Sequence, residues 1–168
     1  DWSVQMAHHL LGTRGHAAAM MELFEDRPDL GMVFPVYHPS VRKQIKWGAN
    51  FSTVRSLMAR MGAPLKKTDL TPFPAGSFFA IRGEVLRPLL AGDFSFEDFG
   101  EEAGQIDGTL AHAIERLFPL LCRQLGYGFR QIRSARPYSL GSMVMDDEPY
   151  VSSRLAAFRT ELAPALPR

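Results

Sequence analysis

The chain has 168 residues, 46% of them hydrophobic, and this length and composition favour a single domain with a buried core. Its 19 basic and 18 acidic residues leave a net charge of +1, which disfavours a nucleic-acid partner because no basic excess is present to meet phosphates. The one cysteine, Cys122, cannot form a disulfide within the chain, and no run reaches the roughly 20 apolar residues that cross a membrane. We therefore expect a cytoplasmic protein that works in solution or peripherally at the inner face of the membrane.

The first half of the chain predicts three helices and one strand. Apolar residues at helical spacing, with Gly or Pro after each run, predict the helices at residues 2–11, 15–26 and 51–61. Asn50 or Ser52 can cap the third of these helices. The apolar, β-rich stretch 30–36 predicts a buried strand, and the polar residues 37–46 after it predict a loop.

The second half predicts further strands and helices around an aromatic loop. Pro74 and Gly76 predict a turn before a strand at residues 77–81, and a helix follows at residues 84–90. The loop 92–100 is aromatic and acidic, and we expect its rings to wall one side of a pocket. We then predict, in order, a late or edge strand, an irregular stretch, a terminal helix and a disordered tail, at residues 126–136, 138–150, 151–162 and 163–168.

Residues 101–118, EEAGQIDGTLAHAIERLF, hold the densest group of polar side chains in the sequence. A spacing of 100° per residue gives the predicted helix an apolar face and an opposite polar face. The apolar face holds Ile106, Leu110, Ala113, Ile114, Leu117 and Leu121, and the polar face holds Gln105, Thr109, His112 and Arg116. Asp107 falls in the first turn, where it either stabilises the helix end or acts in catalysis. Pro119 predicts that the helix ends or kinks near Phe118.

Two motifs carry a resemblance to a known family. FPAGSFFAIRGEVLRPLL at residues 73–90, followed by EEAGQIDGTLAHAIERLF, resembles the rhamnan-synthesis F family of polysaccharide-assembly glycosyltransferases. The earlier segments LLG, LFEDRPDLGMVFP and WGAN are also similar to that family, so the resemblance covers nearly the whole chain and is weakest after about Arg136. It implies an α/β fold, specifically part of a GT-A-like domain with helices packed on a small mixed sheet.

The resemblance also implies that the chain is one part of a larger domain. Neither the amino-terminal nucleotide-binding half nor the Asp-x-Asp metal motif of such enzymes is visible, and residue 1 is Asp rather than Met. We expect residues 1–168 to be a single acceptor-side portion of a glycosyltransferase domain, with the remainder of a parent polypeptide as a partner. The acidic run at residues 146–148 fits a surface turn better than a metal site.

By this resemblance, the protein transfers a sugar, often rhamnose, from a dTDP-rhamnose-like nucleotide-sugar to a growing cell-surface polysaccharide. Its ligands are then the nucleotide-sugar and a saccharide acceptor, with Mg²⁺ or Mn²⁺ as a candidate cofactor. The competing hypothesis is a non-catalytic fragment that binds a saccharide or another subunit. A glycoside hydrolase fits less well, because no opposed pair of carboxylates is evident in the sequence.

The candidate site residues divide by role. Inverting transfer needs a carboxylate base for the acceptor hydroxyl; the candidates are Glu101, Glu102 and Asp107, of which Glu102 or Asp107 is favoured. His112 is a candidate ligand for a metal or the diphosphate, and it equally fits an inert place on the polar face. The substrate-binding candidates are Gln105 and Thr109 for sugar hydroxyls, Trp47 for stacking, Arg82 and Arg116 for the diphosphate, and Asn50, Gly76 and Ser77 within the matched motifs.

Overall fold

A computed structural model describes residues 2–101 and 103–134, together with the backbone of a strand at Met143–Met145. The helices in this part of the chain are α1 Trp2–Leu11, α2 Arg14–Asp26, α3 Phe51–Arg60, α4 Gly83–Leu90 and α5 Leu110–Gln124. The strands are β1 Leu30–Pro35, β2 Ala80–Ile81, β3 Gly128–Ser134 and β4 Met143–Met145. None of these helices, within the residues described, is both long enough and apolar enough to cross a membrane.

The strands form one mixed sheet of four strands in the order β2-β1-β3-β4. β1 and β3 are parallel, and β2 and β4 each pair antiparallel to the strand beside them. Every residue of β1 is buried, as its continuous apolar sequence predicts for a strand covered on both faces. The α/β class and the small mixed sheet are thus confirmed, and the late strand is confirmed as β3, which lies inside the sheet rather than at its edge. The closer likeness to a GT-A domain stays a prediction.

Two hydrophobic clusters cover the two faces of the sheet. Met32 and Phe34 pack with α3, α4 and α5, and this larger cluster includes Cys122. Leu30 and Val33 pack with α1 and α2 on the opposite face. Side chains alternate along a strand, and a register shift between Leu30 and Met32 lets Leu30 share a face with Val33. Burial raises the pKa of the Cys122 thiol to about 12, as expected for a cysteine that packs as a small hydrophobe.

The central helix begins later and ends later than the sequence indicates. α5 starts after Thr109, so Asp107 precedes the helix, and Ile106 is 84% exposed instead of lying in the core. Gly108, with φ +85°, turns the chain just before the helix. At the other end α5 continues through Pro119 to Gln124, because the buried side chains around the proline outweigh its cost of about 3 kcal/mol.

Two further predictions of local structure are wrong in extent. The strand predicted at residues 77–81 contains only Ala80–Ile81, because Ser77 has φ +57° and belongs to the preceding turn. The stretch predicted to be irregular at residues 138–150 contains the strand Met143–Met145. The terminal helix and tail predicted at residues 151–168 and the acidic run 146–148 lie outside the described residues.

Candidate functional site

The start of α5 and the 3-10 turn Phe96–Phe99 form the walls of a cavity of about 840 Å³. Two phenylalanine rings contribute its apolar surface, with Phe96 89% exposed and Phe99 40% exposed. The residues that line it are Phe96, Glu97, Phe99, Gly100, Glu101, Gln105, Thr109, Ala111 and His112. The expected aromatic wall is therefore confirmed. Apolar rings around a few polar groups, in a volume of this size, are typical of small-molecule sites.

The aromatic wall is held by local hydrogen bonds. The Asp98 carboxylate accepts the Ser95 N–H at 2.7 Å and the Ser95 hydroxyl at 3.2 Å, which caps the turn Phe96–Phe99. Gly100 then has φ +66°, a conformation that glycine adopts without strain, and it redirects the chain toward Glu101. The two exposed rings consequently stand on a short, internally bonded turn.

Gln105 and Glu101 belong to one closed loop. The Gln105 side-chain amide donates to the Glu101 carbonyl at 2.8 Å, and its oxygen accepts the Ala103 N–H at 3.0 Å. The amide therefore shapes the loop as well as lining the cavity. No hydrogen bond to the Glu101 carboxylate is present among the described residues, so this exposed group is available to a ligand.

Thr109 and His112 connect the cavity to the helix end. The Thr109 hydroxyl oxygen accepts the His112 backbone N–H at 3.3 Å, which makes Thr109 the N-cap of α5. The same oxygen lies 2.7 Å from His112 Nδ1. When the hydroxyl donates to Nδ1, the neutral imidazole carries its proton on Nε2. Within the described residues Nε2 has no hydrogen-bond partner, so it can donate to a bound hydroxyl or anion.

Asp107 lies outside the cavity and binds backbone and side chains instead. Its carboxylate accepts the Ala49 N–H at 3.0 Å, the Asn50 side-chain amide, and Arg116 Nη2 at 3.2 Å. Gly48 has φ +55°, and a Cβ there would overlap this carboxylate. We call this group, Asp107 with Gly48, Ala49, Asn50 and Arg116, the Asp107 clasp.

Arg116 is the buried half of the Asp107 clasp. It is 5% exposed, although the helical pattern placed it on the polar face. Its Nε donates to the Lys46 carbonyl at 2.9 Å and its Nη1 to the His112 carbonyl at 2.7 Å. The guanidinium also lies 4.5 Å from the centre of the Phe73 ring. These contacts satisfy the charge inside the protein, away from the cavity lining.

The Asp107 carboxylate is a weakened base. Burial alone would raise its pKa, but the Ala49 N–H, the Asn50 amide and the Arg116 charge together hold the pKa below the usual value. A carboxylate with a lowered pKa and three donors already bound has little tendency to take a proton from a sugar hydroxyl. These contacts favour the structural alternative for Asp107, and its catalytic role stays a prediction.

Trp47, Asn50 and Arg82 also lie outside the cavity lining. The half-buried Trp47 donates its indole N–H to the Lys67 carbonyl at 2.7 Å and packs edge-on against Phe51. Asn50 is 1% exposed and also donates to the Trp47 carbonyl. Arg82 donates to the carbonyls of Leu30, Phe24 and Arg27, which ties the end of α2 to the sheet. Their substrate-binding roles stay predictions.

Gly76 and Ser77 form a turn that α5 supports through Glu115. Both have positive φ, +77° and +57°, and the second value is uncommon outside glycine. The Ser77 hydroxyl donates to the Glu115 carboxylate at 3.2 Å. Burial raises the pKa of Glu115, against the lowering effects of Ser77, His112, Arg116 and the Gly76 N–H. Sequence reasoning missed Glu115, although its position three residues after His112 places both on one side of the helix.

The structure therefore brings together four of the candidate residues at one cavity: Glu101, Gln105, Thr109 and His112. Glu102 lies outside the described residues. Among the residues that are described, no three or more His, Cys, Asp or Glu side chains are grouped so that they could hold a metal ion. The metal role of His112 accordingly stays a prediction.

Comparison with known proteins adds the family. Residues 1–127 match the model of a family described as Rhamnan synthesis protein F. Two similar proteins, each named uncharacterized protein WxcX, come from the B100 and ATCC 33913 strains of Xanthomonas campestris pv. campestris. Each is 34% identical over 146 residues, which cover 82% of this chain and 21% of the relative, so the chain spans about one fifth of their length. No solved structure matches.

The Asp107 clasp predicts a large effect of one substitution on stability. Asp107→Ala should lower the free energy of unfolding by about 2–4 kcal/mol, because it leaves the buried Arg116 charge without its carboxylate. Urea denaturation followed by circular dichroism measures this. Asp29→Ala is the matched control, since Asp29 pairs with Arg27 while 63% exposed and should cost about 1 kcal/mol or less. Equal losses of unfolding free energy in the two variants would contradict the stabilising role of the Asp107 clasp.

Glu115 predicts a pH-dependent effect. Its folded-state pKa lies above the ordinary 4.5, so its contribution to stability is complete below that pH and is lost as the pH rises through the folded-state value. The unfolding free energy of Glu115→Gln should therefore increase relative to that of wild type as the pH is raised from about 4.5 through the folded-state pKa. Denaturation midpoints across that range measure the difference. Glu84→Gln, an exposed position on α4, controls for net charge; a constant difference for Glu115→Gln would refute the prediction.

Proposed function

The chain belongs to the rhamnan synthesis protein F family, and we propose that it is the acceptor-binding portion of a glycosyltransferase that assembles polysaccharide. The proposed reaction transfers a rhamnose-type sugar from a nucleotide-sugar to a growing cell-surface polysaccharide. The family description supports the involvement in rhamnan synthesis. The cavity beside α5 supports the binding of a saccharide.

The mixed lining of this cavity is the observation that carries the proposal. A pyranose ring has an apolar C–H face and hydroxyl groups around its edge. The exposed rings of Phe96 and Phe99 can pack against the C–H face. The Glu101 carboxylate and the His112 imidazole can hydrogen-bond to the hydroxyl groups. The volume of about 840 Å³ lies within the range of ordinary ligand sites and has room for a sugar unit with its neighbour.

We assign the base to Glu101. As the acceptor oxygen forms its bond to the donor sugar, the hydroxyl proton passes to the Glu101 carboxylate, and the bond from the sugar to the nucleoside diphosphate breaks. Thr109 fixes the imidazole of His112, which then hydrogen-bonds to a sugar hydroxyl. Glu102 is the second candidate base. In this proposal Asp107 takes no part in proton transfer. It is a positioning residue that holds the start of α5 in place.

The donor side of the reaction is assigned to the remainder of the polypeptide. Arg82 and Arg116, the diphosphate candidates, already donate to backbone carbonyls. The relatives are about five times longer than the matched region, since it covers 21% of their length. A Mg²⁺ or Mn²⁺ ion stays part of the proposal, and no step above depends on one. The proposed location is the cytoplasm, in solution or peripherally at the inner face of the membrane, as expected from the sequence.

One observation favours a second candidate function, a non-catalytic domain that binds saccharide or another subunit. Asp107 and Arg116, two of the candidate site residues, form an ion pair with each other instead of lining the cavity. A cavity with aromatic rings and hydrogen-bonding groups can hold a sugar without promoting its reaction. Binding without turnover in the full-length protein distinguishes this function from the enzyme.

Glu101→Gln in the full-length protein is expected to lower turnover by about a hundredfold or more, since it removes the base and keeps the side-chain shape. Release of nucleoside diphosphate from dTDP-rhamnose, with a rhamno-oligosaccharide as acceptor, measures the rate. Glu22→Gln, exposed on α2, should retain wild-type turnover within about twofold. Glu102→Gln is measured alongside as the other candidate base. If Glu101→Gln turns over like wild type, Glu101 is not the base. If Glu102→Gln does so as well, the catalytic function is wrong.

A further inference from the structure

Two smaller cavities, of about 390 and 330 Å³, lie against the same loop that walls the large cavity. Leu57 and Arg60 of α3 and the Phe94 ring line both cavities, so the two are neighbours. We call these two neighbouring cavities together the outer groove. It runs between α3, the end of α4 and the segment 92–98, and it reaches α5 at Leu110 and Gln124.

The outer groove lies next to the large cavity, since neighbouring residues line the two. Glu97 and Phe99 line the large cavity, whereas Asp98 between them lines the groove. At the helix end, Thr109 and Ala111 line the large cavity, whereas Leu110 between them lines the groove. Successive residues of two elements thus contribute to opposite sides of one partition. A ligand that extends out of the large cavity across this partition enters the groove.

The outer groove has the same kind of lining as the large cavity. The Arg60 guanidinium lies 5.8 Å from the centre of the Phe94 ring, so a charged donor and an aromatic surface stand together. Asp93 and Thr53 add acceptors, and the Gln124 side chain, whose nitrogen donates to the Met61 carbonyl at 2.8 Å, adds its amide oxygen. Gly92 lets the ring take this place, because a Cβ there would lie 2.9 Å from it.

The charges of the groove favour a neutral ligand rich in hydroxyl groups. Among the described residues that line the groove, Arg60 is the one cation, and the carboxylates of Asp93 and Asp98 accompany it. A phosphate or another anion would meet these carboxylates at close range, whereas sugar hydroxyls can both donate to them and accept from the guanidinium.

We propose that the outer groove is a second saccharide subsite. It binds the sugar units of the acceptor chain that lie beyond the two units in the large cavity, and the Phe96–Phe99 turn stands between the two subsites. The inference rests on the proposed function, since it assumes that the large cavity holds an acceptor saccharide. It adds that the ligand is an oligomer long enough to cross the partition.

The length of the saccharide tests the proposal. Calorimetric titration of the full-length protein would use L-rhamnose, a rhamno-disaccharide and a rhamno-tetrasaccharide as probes. Wild type should bind the tetrasaccharide about tenfold more tightly than the disaccharide, because only the longer probe reaches the groove. Arg60→Ala and Phe94→Leu should remove most of this gain and leave the disaccharide affinity unchanged. Phe94→Leu keeps an apolar side chain in the core and removes only the flat ring.

Matched variants separate the two subsites. Arg55→Ala removes the same type of side chain from α3 outside the groove and should keep the full gain with length. Phe96→Ala, at an exposed ring of the large cavity, should weaken the disaccharide and the tetrasaccharide by the same factor. Melting temperatures of all variants check that they are folded.

Each result decides between the subsite and the function on which it rests. The outer groove is not a subsite if the disaccharide and the tetrasaccharide bind wild type with equal affinity. The same holds if Arg60→Ala and Arg55→Ala show the same increase in affinity from disaccharide to tetrasaccharide. In both cases the proposed function stands. If no saccharide binds at any length, the large cavity is not an acceptor site and both proposals fail.

Discussion

The position of the candidate site depends on the ion pair between Asp107 and the buried Arg116. The pair joins the start of α5 to residues 48–50, because the same carboxylate accepts hydrogen bonds from Ala49 and Asn50. It leaves room for no side chain at residue 48, where the sequence has glycine. With the helix start fixed in this way, Thr109 and His112 stand at the wall of the cavity. The two residues that line the cavity are thus positioned by charged groups that do not line it.

Helix α5 contributes side chains to both the hydrophobic core and the cavity. Its buried side packs against the sheet, with Leu117 and Leu121 fully buried. The first turn of α5 lines the cavity. In the next turn of the helix, the Glu115 carboxylate accepts a hydrogen bond from Ser77, whose positive φ is uncommon for a residue with a side chain. Because one rigid helix carries all three contacts, a shift of its N-terminal end would alter the cavity and the turn together.

The segments that carry the family resemblance are joined by these contacts. The Trp47 segment and the segment around Asp107 meet in the Asp107 clasp, and the segment around Ser77 meets α5 at Glu115. Several residues of these segments therefore build the frame of the cavity instead of its surface. In contrast, the cavity surface depends on a loop of exposed rings and on Glu101, where a substitution would disturb the frame least.

Local patterns in the sequence determined the helices, the buried strand β1 and the aromatic wall, because each depends on neighbouring residues with regular spacing or on a dense apolar run. The polar stretch at residues 101–118 also located the cavity. Only the tertiary structure decided that Arg116 is buried and that Asp107 faces residues 48–50, since its partners Ala49 and Asn50 lie 58 and 57 positions away in the chain. The spacing of residues along one helix cannot predict a contact with such a distant segment. The energy of a carboxylate depends on which donors the folded chain brings to it.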